Sequence, residues 1–191
     1  MYVMDDEAEL WQRARQEDGT AFAALFDRHH ARVYRRALAL LGDVHDADDT
    51  AAAAFFELWR KRRSVPLVSG SVLPWLLVTT VNLSRNTRRS SARYRALLRD
   101  LPHPAPVAGP DAELSETSRR LAEALLRLAP VDAALIVLTT LEDLPVMAAA
   151  ESVGLTAPNA RVRLHRARAR LRVELHDLHP EIRPIVEGSP T

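Results

Sequence analysis

Residues 143–171 read DLPVMAAAESVGLTAPNARVRLHRARARL and are the most informative segment of this 191-residue chain. The pattern predicts a short helix over Val146–Ser152 and a turn at Gly154, because glycine adopts the left-handed conformation that commonly follows a helix. Thr156 is a suitable N-cap for a second helix, whose first turn tolerates Pro158. A short helix, a glycine turn and a longer helix form the outline of a helix-turn-helix unit.

The second helix of this unit separates an apolar face from a basic one. Ala160, Leu164, Ala167 and Leu171 recur at helical spacing, which predicts that they pack inward. The side chains that point away from this stripe or flank it are Asn159, Arg161, Val162, Arg163, His165 and Arg166. Arginine pairs with guanine edges and asparagine with adenine, so this face is a candidate for reading duplex DNA in the major groove. The alternative is a solvated basic helix end, which the helix dipole also favours.

A proline-rich stretch separates this half of the chain from the first half. Leucines at helical spacing predict a helix over Leu114–Leu128, and Pro130 is placed to begin the next one. Four prolines fall between residues 102 and 110, where neither a helix nor a central strand can form. We therefore expect a helical domain at 1–100, a linker at 101–111, a helical domain at 112–175 and a tail at 176–191.

The N-terminal half is also predicted to be helical. Glu7–Gln16 forms a short polar helix, and a long helix follows that Thr20 caps and Gly42 ends. Asp46 opens a third helix and Ser71 caps a fourth. With only 6 glycines and 5% aromatic residues, sandwiches and barrels are disfavoured. The expected fold class is all-α, with two small helical domains joined by a Pro-rich linker and a helix-turn-helix in the second.

Composition excludes several classes of protein. The chain has no cysteine, which rules out disulfides, thiolate-ligated metals and a cysteine nucleophile. No apolar run reaches the ~18 residues of a membrane span. Met1–Asp6 is acidic and precedes no apolar stretch, so no secretory signal is expected and the cytoplasm is the expected location. There is no Gly-rich phosphate loop and no nucleophile elbow, so we predict neither a cofactor nor an enzyme.

Positive charge is concentrated in two segments. Residues 65–99 contain six arginines and no acid, and residues 161–172 again contain six arginines and no acid. Residues 100–160, which lie between them, contain nine acids and three arginines. Two basic segments separated by an acidic one predict two places where a polyanion binds.

The first basic segment combines an aromatic ring with amides and guanidinium groups. It contains Trp75, Asn82, Arg85, Asn86 and Arg88. Such a surface can stack exposed bases and hold the backbone of a single strand. The alternative is that Trp75 is a core residue and that the arginines are ordinary surface residues.

Several motifs carry a resemblance to one family. DADDTAAAAFFELW at 46–59 resembles its region 2.2, and PWLL at 74–77 with Val81-Asn82 resembles regions 2.3 and 2.4. Four further stretches resemble region 4 of the same family: LAP at 128–130, LEDL at 141–144, AESVG at 150–154 and RVRLHRARARL at 161–171. The pieces fall in order across Glu9–Leu175. The family is that of the sigma-70 sigma factors, in the two-domain extracytoplasmic function (ECF) group.

The resemblance implies partners and a function. Sigma factors bind core RNA polymerase, here at the clamp region of the beta-prime subunit, and direct it to promoter DNA without catalysis. An anti-sigma factor is a further candidate partner, and no membrane insertion is implied. The second domain would read the upstream (−35) element as duplex through the six residues Asn159 to Arg166 named above.

The resemblance also assigns residues of the first domain. The downstream (−10) element, held as a single strand, would contact Ser69, Gly70, Ser71, Val72, Leu73, Asn82, Arg85 and Asn86. The exposed face of the third helix would dock on the polymerase clamp through Asp46, Asp49, Ala53, Phe56, Glu57 and Arg60. Ala52-Ala53 stands where the family usually has Gln-Glu.

Two other functions remain open at the level of sequence. One is a free-standing helix-turn-helix regulator that binds duplex DNA as a dimer. The other is a helical enzyme with a metal held by histidines and carboxylates, drawn from His29, His30, His45 and the aspartates at 46, 48 and 49. No His-Glu-x-x-His spacing supports this metal site, and His29 falls on an apolar stripe.

Overall fold

The computed structural model describes residues 6–98, 115–178 and 185, and it confirms the all-α fold with two helical domains. The first domain contains α1 (Glu7–Arg15), α2 (Gly19–Leu41), α3 (Val44–Lys61) and α4 (Leu73–Leu98). The second contains α5 (Glu116–Arg127), α6 (Pro130–Ile136), a π-helical turn (Val137–Leu141), α7 (Val146–Ser152) and α8 (Ala157–Glu174). The predicted linker at 101–111 and most of the tail at 176–191 lie outside the described residues.

Most helix ends lie where the sequence predicts them. α2 is followed by Gly42, whose φ of 77° is left-handed, and α6 begins at Pro130. The N-cap prediction for α2 is wrong, because Asp18 caps it and not Thr20. The Asp18 carboxylate accepts hydrogen bonds from the backbone amides of Thr20 and Ala21. A carboxylate carries a full negative charge, which suits the positive N-terminal end of a helix.

The start of α3 also differs from the prediction. The sequence predicts Asp46 as the opening residue, but α3 begins at Val44 and Asp43 is its N-cap. The Asp43 carboxylate accepts a hydrogen bond from the Asp46 amide at 2.7 Å. Thr156 precedes α8 as predicted, although its side chain makes no capping hydrogen bond.

α2 lies at the centre of the first domain and contacts α1, α3 and α4. Its buried residues repeat at three- and four-residue intervals and are Ala21, Leu25, His29, Val33, Ala37 and Leu40. These intervals are those of one face of a helix, and the buried set includes His29, which the sequence places on an apolar stripe. Phe55 and Leu58 of α3 are buried in the same core.

α8 packs on α6 and α7 through the predicted inward stripe. Ala160, Leu164, Ala167 and Leu171 are each at most 2% exposed. Gly154, with a φ of 70°, lies in the turn that joins α7 to α8. The helix-turn-helix is therefore present as predicted, with the opposite face of α8 directed to solvent.

The two domains pack against each other and share one apolar core. α4 contacts α5, α6, α7 and the π-helical turn, and α2 contacts α5. Glu142, whose side chain is 4% exposed, accepts hydrogen bonds from Arg32 Nε at 2.5 Å and from Arg36 Nη2 at 2.6 Å. Arg88 Nη2 pairs with Glu123 Oε1 at 3.1 Å. We call this arrangement the closed form.

None of the helices in the described ranges is long and apolar enough to cross a bilayer. Within those ranges no three His, Asp or Glu side chains are arranged to hold a metal ion. Two histidines of the alternative metal site have other partners: His29 Nε2 bonds the Glu7 carboxylate, and the His30 ring stacks on Phe26.

Candidate nucleic-acid interface

The N-terminal half of α8 presents the side chains that the sequence assigns to duplex reading. Asn159, Arg161, His165 and Arg166 are exposed, and Val162 is 50% exposed. α7 packs against the buried face of α8, so the outer face is rigidly supported. An exposed arginine-rich helix of this kind has the shape and charge to enter a major groove.

Arg163 has a different environment from the other five predicted residues. Its Nε donates to Asp132 Oδ1 at 2.7 Å, and Asp132 is only 8% exposed. Asp132 lies in the first turn of α6, so this ion pair fastens α8 to α6. The structure therefore gives Arg163 a partner within its own domain, and its contact with DNA stays a prediction.

Arg168 is a second structural arginine that the sequence did not single out. Its Nη2 donates to Thr140 Oγ1 of the π-helical turn at 3.3 Å. Burial lowers the pKa of Arg168, and its Nε is buried without a hydrogen-bond partner among the described residues. In the sequence, Arg168 belongs to a run of alternating arginines, and nothing in that pattern distinguishes it from its exposed neighbours.

The loop before α4 exposes fewer residues than the sequence predicts. Ser69 and Gly70 are exposed at its tip. Val72 and Leu73 are 0% and 8% exposed, so their side chains lie in the core, and their contact with the downstream strand stays a prediction. They are buried because α4 begins at Leu73 and directs its first turn into the core. Ser71 is half-buried and uses its hydroxyl inside the protein.

On α4 two amides face solvent. Asn82 and Asn86 are exposed one turn apart. Arg85, which the sequence assigns to the same surface, is 7% exposed and points into the domain interface. Its Nη1 donates to the carbonyls of Leu126, at 2.5 Å, and Leu128.

Arg85 thus caps a helix of the other domain. Leu126 and Leu128 lie at the C-terminal end of α5, where carbonyls lack intrahelical partners and the helix dipole favours a cation. Burial, together with the nearby Arg89, lowers the pKa of Arg85. Arg85, Arg88, Arg89 and Arg127 line a cleft with Glu123 and Leu126 at this junction.

The outer face of α3 combines charges with one large apolar side chain. Phe56 is 65% exposed, and Asp49 and Arg60 are exposed on the same face, with Ala53 partly exposed. Glu57 Oε2 pairs with Arg60 Nη2 at 2.6 Å. Burial raises the pKa of Asp46, with further increases from Asp43 and Asp49. An exposed aromatic side chain ringed by charges is typical of a protein-binding surface.

One functional candidate has no motif in the sequence. Glu7 on α1 was predicted only as part of a short polar helix, yet its Oε1 accepts three hydrogen bonds. The donors are His29 Nε2 at 2.9 Å, the Ser71 hydroxyl at 2.8 Å and the Val72 amide at 2.8 Å. Burial by itself would raise the pKa of Glu7, but the bonds from His29, Val72 and Ser71 hold it below its ordinary value. Local pattern carries no signal for contacts this distant.

Comparisons with known proteins identify the family of the chain. The family description "Sigma-70 region 2" matches residues 25–94, and "Sigma-70, region 4" matches residues 118–171. The chain is similar to the ECF RNA polymerase sigma factor SigM of Mycobacterium tuberculosis, at 31% identity over 86% of this chain and 82% of the relative.

Two solved structures share the fold. CnrH, in complex with the cytosolic domain of CnrY, is 23% identical with a TM-score of 0.60, covering 92% of this chain and 99% of CnrH. The sigma factor RpoE of Bartonella quintana, in complex with the anti-sigma factor NepR, is 20% identical with a TM-score of 0.51, covering 79% of this chain and 94% of RpoE.

Proposed function

We propose that two domains of this chain divide promoter recognition between them. The chain belongs to the sigma-70 family and is an ECF RNA polymerase sigma factor. The proposed domains are 1–100, for core polymerase and the downstream element, and 112–175, for the upstream element. The free-standing regulator is not favoured, because the match to region 2 at 25–94 covers a domain that such a regulator does not need.

The upstream element is read by α8 in this proposal. Support comes from its exposed face, where Arg161, His165 and Arg166 surround the half-exposed Val162. Asn159 lies beside them, and Arg163 holds the helix in place through Asp132. A bidentate contact between arginine and guanine contributes about 1–3 kcal/mol of discrimination between bases.

The test for α8 is run-off transcription with core polymerase on promoters varied at each upstream position. Arg166→Ala should relax the preference at one position, whereas Arg172→Ala, which removes the same charge from the far end of α8, should leave every preference unchanged. If Arg161→Ala and Arg166→Ala together leave transcription unaltered, α8 does not read the upstream element.

The downstream strand is held by the loop tip and by α4. Ser69, Gly70, Asn82 and Asn86 are accessible for this role in the closed form. Amide side chains hydrogen-bond to base edges, and a positively charged groove holds the backbone of a single strand. Asn82→Ala should impair open-complex formation more than closed-complex binding; equal losses in both steps would contradict strand capture.

Arg85 joins this surface only after the two domains separate. In the closed form its guanidinium is occupied by the carbonyls of Leu126 and Leu128. We therefore assign two alternating roles to Arg85: a cap for α5 in the free protein, and a phosphate or base contact when the sigma factor is mounted on polymerase.

The clamp region of the beta-prime subunit is the proposed partner of α3. Its docking face consists of Asp46, Asp49, Ala53, Phe56, Glu57 and Arg60. Phe56 is the observation that supports this, because a large aromatic side chain that is 65% exposed among charged neighbours is typical of a protein-binding surface. The small Ala53 beside it leaves room for a partner side chain to approach.

An anti-sigma factor is a proposed regulator, supported by the fold shared with RpoE of Bartonella quintana, which was solved with one. No catalytic site is proposed. The proposed place of action is the cytoplasm, where core polymerase transcribes.

A further inference from the structure

α1 runs beside the whole connection between α3 and α4 and bonds to it at three points. Trp11 Nε1 donates to the carbonyl of Val65 at 3.3 Å, and Arg15 Nη2 donates to the carbonyl of Arg63 at 2.9 Å. Glu7 accepts from the Ser71 hydroxyl and the Val72 amide at the other end of the connection. α1 itself lies outside the segment matched by region 2, which begins at residue 25.

The tip of this connection has a backbone that needs support. Val68 and Ser71 exchange two backbone hydrogen bonds, at 3.0 and 3.1 Å, and enclose Ser69 and Gly70. Both enclosed residues are left-handed, with φ of 53° and 77°. Two consecutive left-handed residues form a tight hairpin turn of type I′ geometry, and a serine in that conformation is strained.

Ser71 connects this turn to two other elements. Its hydroxyl donates to Glu7 Oε1 and accepts a hydrogen bond from the Leu73 amide at 3.0 Å, at the first residue of α4. Glu7 in turn bonds His29 of α2, and Arg28 Nη1 lies 3.8 Å from its other oxygen. The turn is thus joined through one carboxylate to α1, α2 and α4.

We propose that Glu7 is a positioning residue for recognition of the downstream strand. Its carboxylate holds Ser71 and Val72, and thereby holds Ser69 and Gly70 in the single conformation that receives an unpaired base. The proposal rests on the assignment of this loop to the downstream element. The guanidinium of the neighbouring Arg28 offsets its negative charge, which would otherwise oppose the approach of a phosphate backbone.

The test compares Glu7→Gln with Glu9→Gln in run-off transcription by reconstituted holoenzyme. Glu9 is exposed on the same helix, so its substitution removes the same charge without touching the loop. Promoters are varied at each downstream position and, separately, at each upstream position. Glu7→Gln should reduce discrimination at one downstream position by roughly tenfold, the loss expected for hydrogen bonds to a charged group. Glu7→Gln should leave the upstream preferences unchanged. Glu9→Gln should have the same upstream and downstream preferences as the unaltered protein.

Gly70→Ala is the second variant and acts on the turn without touching Glu7. A Cβ at Gly70 meets no atom within 4 Å, so this change perturbs only the left-handed backbone. It should alter preference at the same downstream position as Glu7→Gln. Circular dichroism of both variants checks that the first domain is folded.

The outcomes separate the two claims. If Gly70→Ala and Asn82→Ala change downstream preference while Glu7→Gln does not, positioning by Glu7 is refuted and the loop assignment stands. If Glu7→Gln lowers transcription equally from every promoter, its role is only structural and the proposal is again overturned. If none of these variants changes downstream preference, the loop assignment itself fails.

Discussion

Replacing Glu142 with glutamine should open the closed form. The Glu142 carboxylate belongs to the second domain and accepts hydrogen bonds from Arg32 and Arg36 of α2. The two arginines also donate to the carbonyls of Glu142 and Leu141, at 3.4 and 3.3 Å. Glutamine keeps the shape of the side chain but removes its charge and one acceptor oxygen, so the change acts on closure and leaves the core of each domain intact.

The magnitude follows from the burial of the three side chains. Breaking a buried ion pair costs about 3–5 kcal/mol when both partners are sealed from water. The Glu142 side chain is 4% exposed, but those of Arg32 and Arg36 are 45% and 15% exposed and regain water when released. We therefore expect a loss of about 2 kcal/mol from the free energy of closure. That loss shifts the ratio of open to closed molecules roughly 30-fold.

The assay is energy transfer between two dyes on the free protein. The chain has no cysteine, so Ala52→Cys on α3 and Val173→Cys on α8, both exposed, give two unique labelling sites. Glu116→Gln is the control, because its carboxylate pairs with Arg119 of its own helix. Glu142→Gln should lower transfer efficiency relative to this control. The same distribution of transfer efficiencies in both variants would refute the assignment of these bonds to domain closure.

Four further outcomes are expected. Arg163→Ala should lower the unfolding free energy, measured by urea titration, by about 1–3 kcal/mol, because it leaves the Asp132 carboxylate buried without its cation. The double variant that also carries Asp132→Asn should recover part of this loss. Arg166→Ala should weaken binding to a cognate upstream element by about 1–3 kcal/mol in holoenzyme titrations without changing the urea midpoint. Phe56→Ala should reduce affinity for core polymerase by about 2 kcal/mol while leaving the melting temperature unchanged, and an unchanged affinity would remove α3 from the interface. Hydrogen bonds in the folded state lower the pKa of Glu7 from 4.5, so the stabilisation by its carboxylate is complete above that pH and is lost as the pH falls through the lowered value. Between about pH 6 and pH 3 the melting temperature of Glu7→Gln should therefore drop less than that of the unaltered protein.

Apolar periodicity and the positions of glycine and proline were sufficient to predict the helices and the helix-turn-helix. The stripe from Ala160 to Leu171 is buried as expected, because apolar spacing at 3.6 residues per turn is a local property of the sequence. The outward direction of Arg161 and Arg166 follows from the same geometry. Asp18 and Asp43 displaced the predicted starts of α2 and α3 because several polar residues compete for each cap.

The remaining features depend on contacts between distant segments. Arg85 lies in a basic run that indicates nucleic-acid binding, but the structure directs it to carbonyls more than forty residues away. Arg163 and Arg168 differ from their exposed neighbours because they donate hydrogen bonds to the side chains of Asp132 and Thr140, respectively. Glu7 gives no local signal, because its partners Ser71 and Val72 are joined to it only by the fold. Long-range pairing of this kind is decided by tertiary packing, which a single sequence does not specify.

The burial of α1 determines how the first domain can be isolated for study. Leu10, Trp11 and Ala14 are 4%, 2% and 0% exposed, although they precede the first residue of the region 2 match. A fragment cut at residue 25 would uncover the apolar trough that these side chains fill and would be prone to self-association. Expression of a well-behaved fragment therefore requires a boundary at or before Asp6, the residue whose carboxylate caps α1.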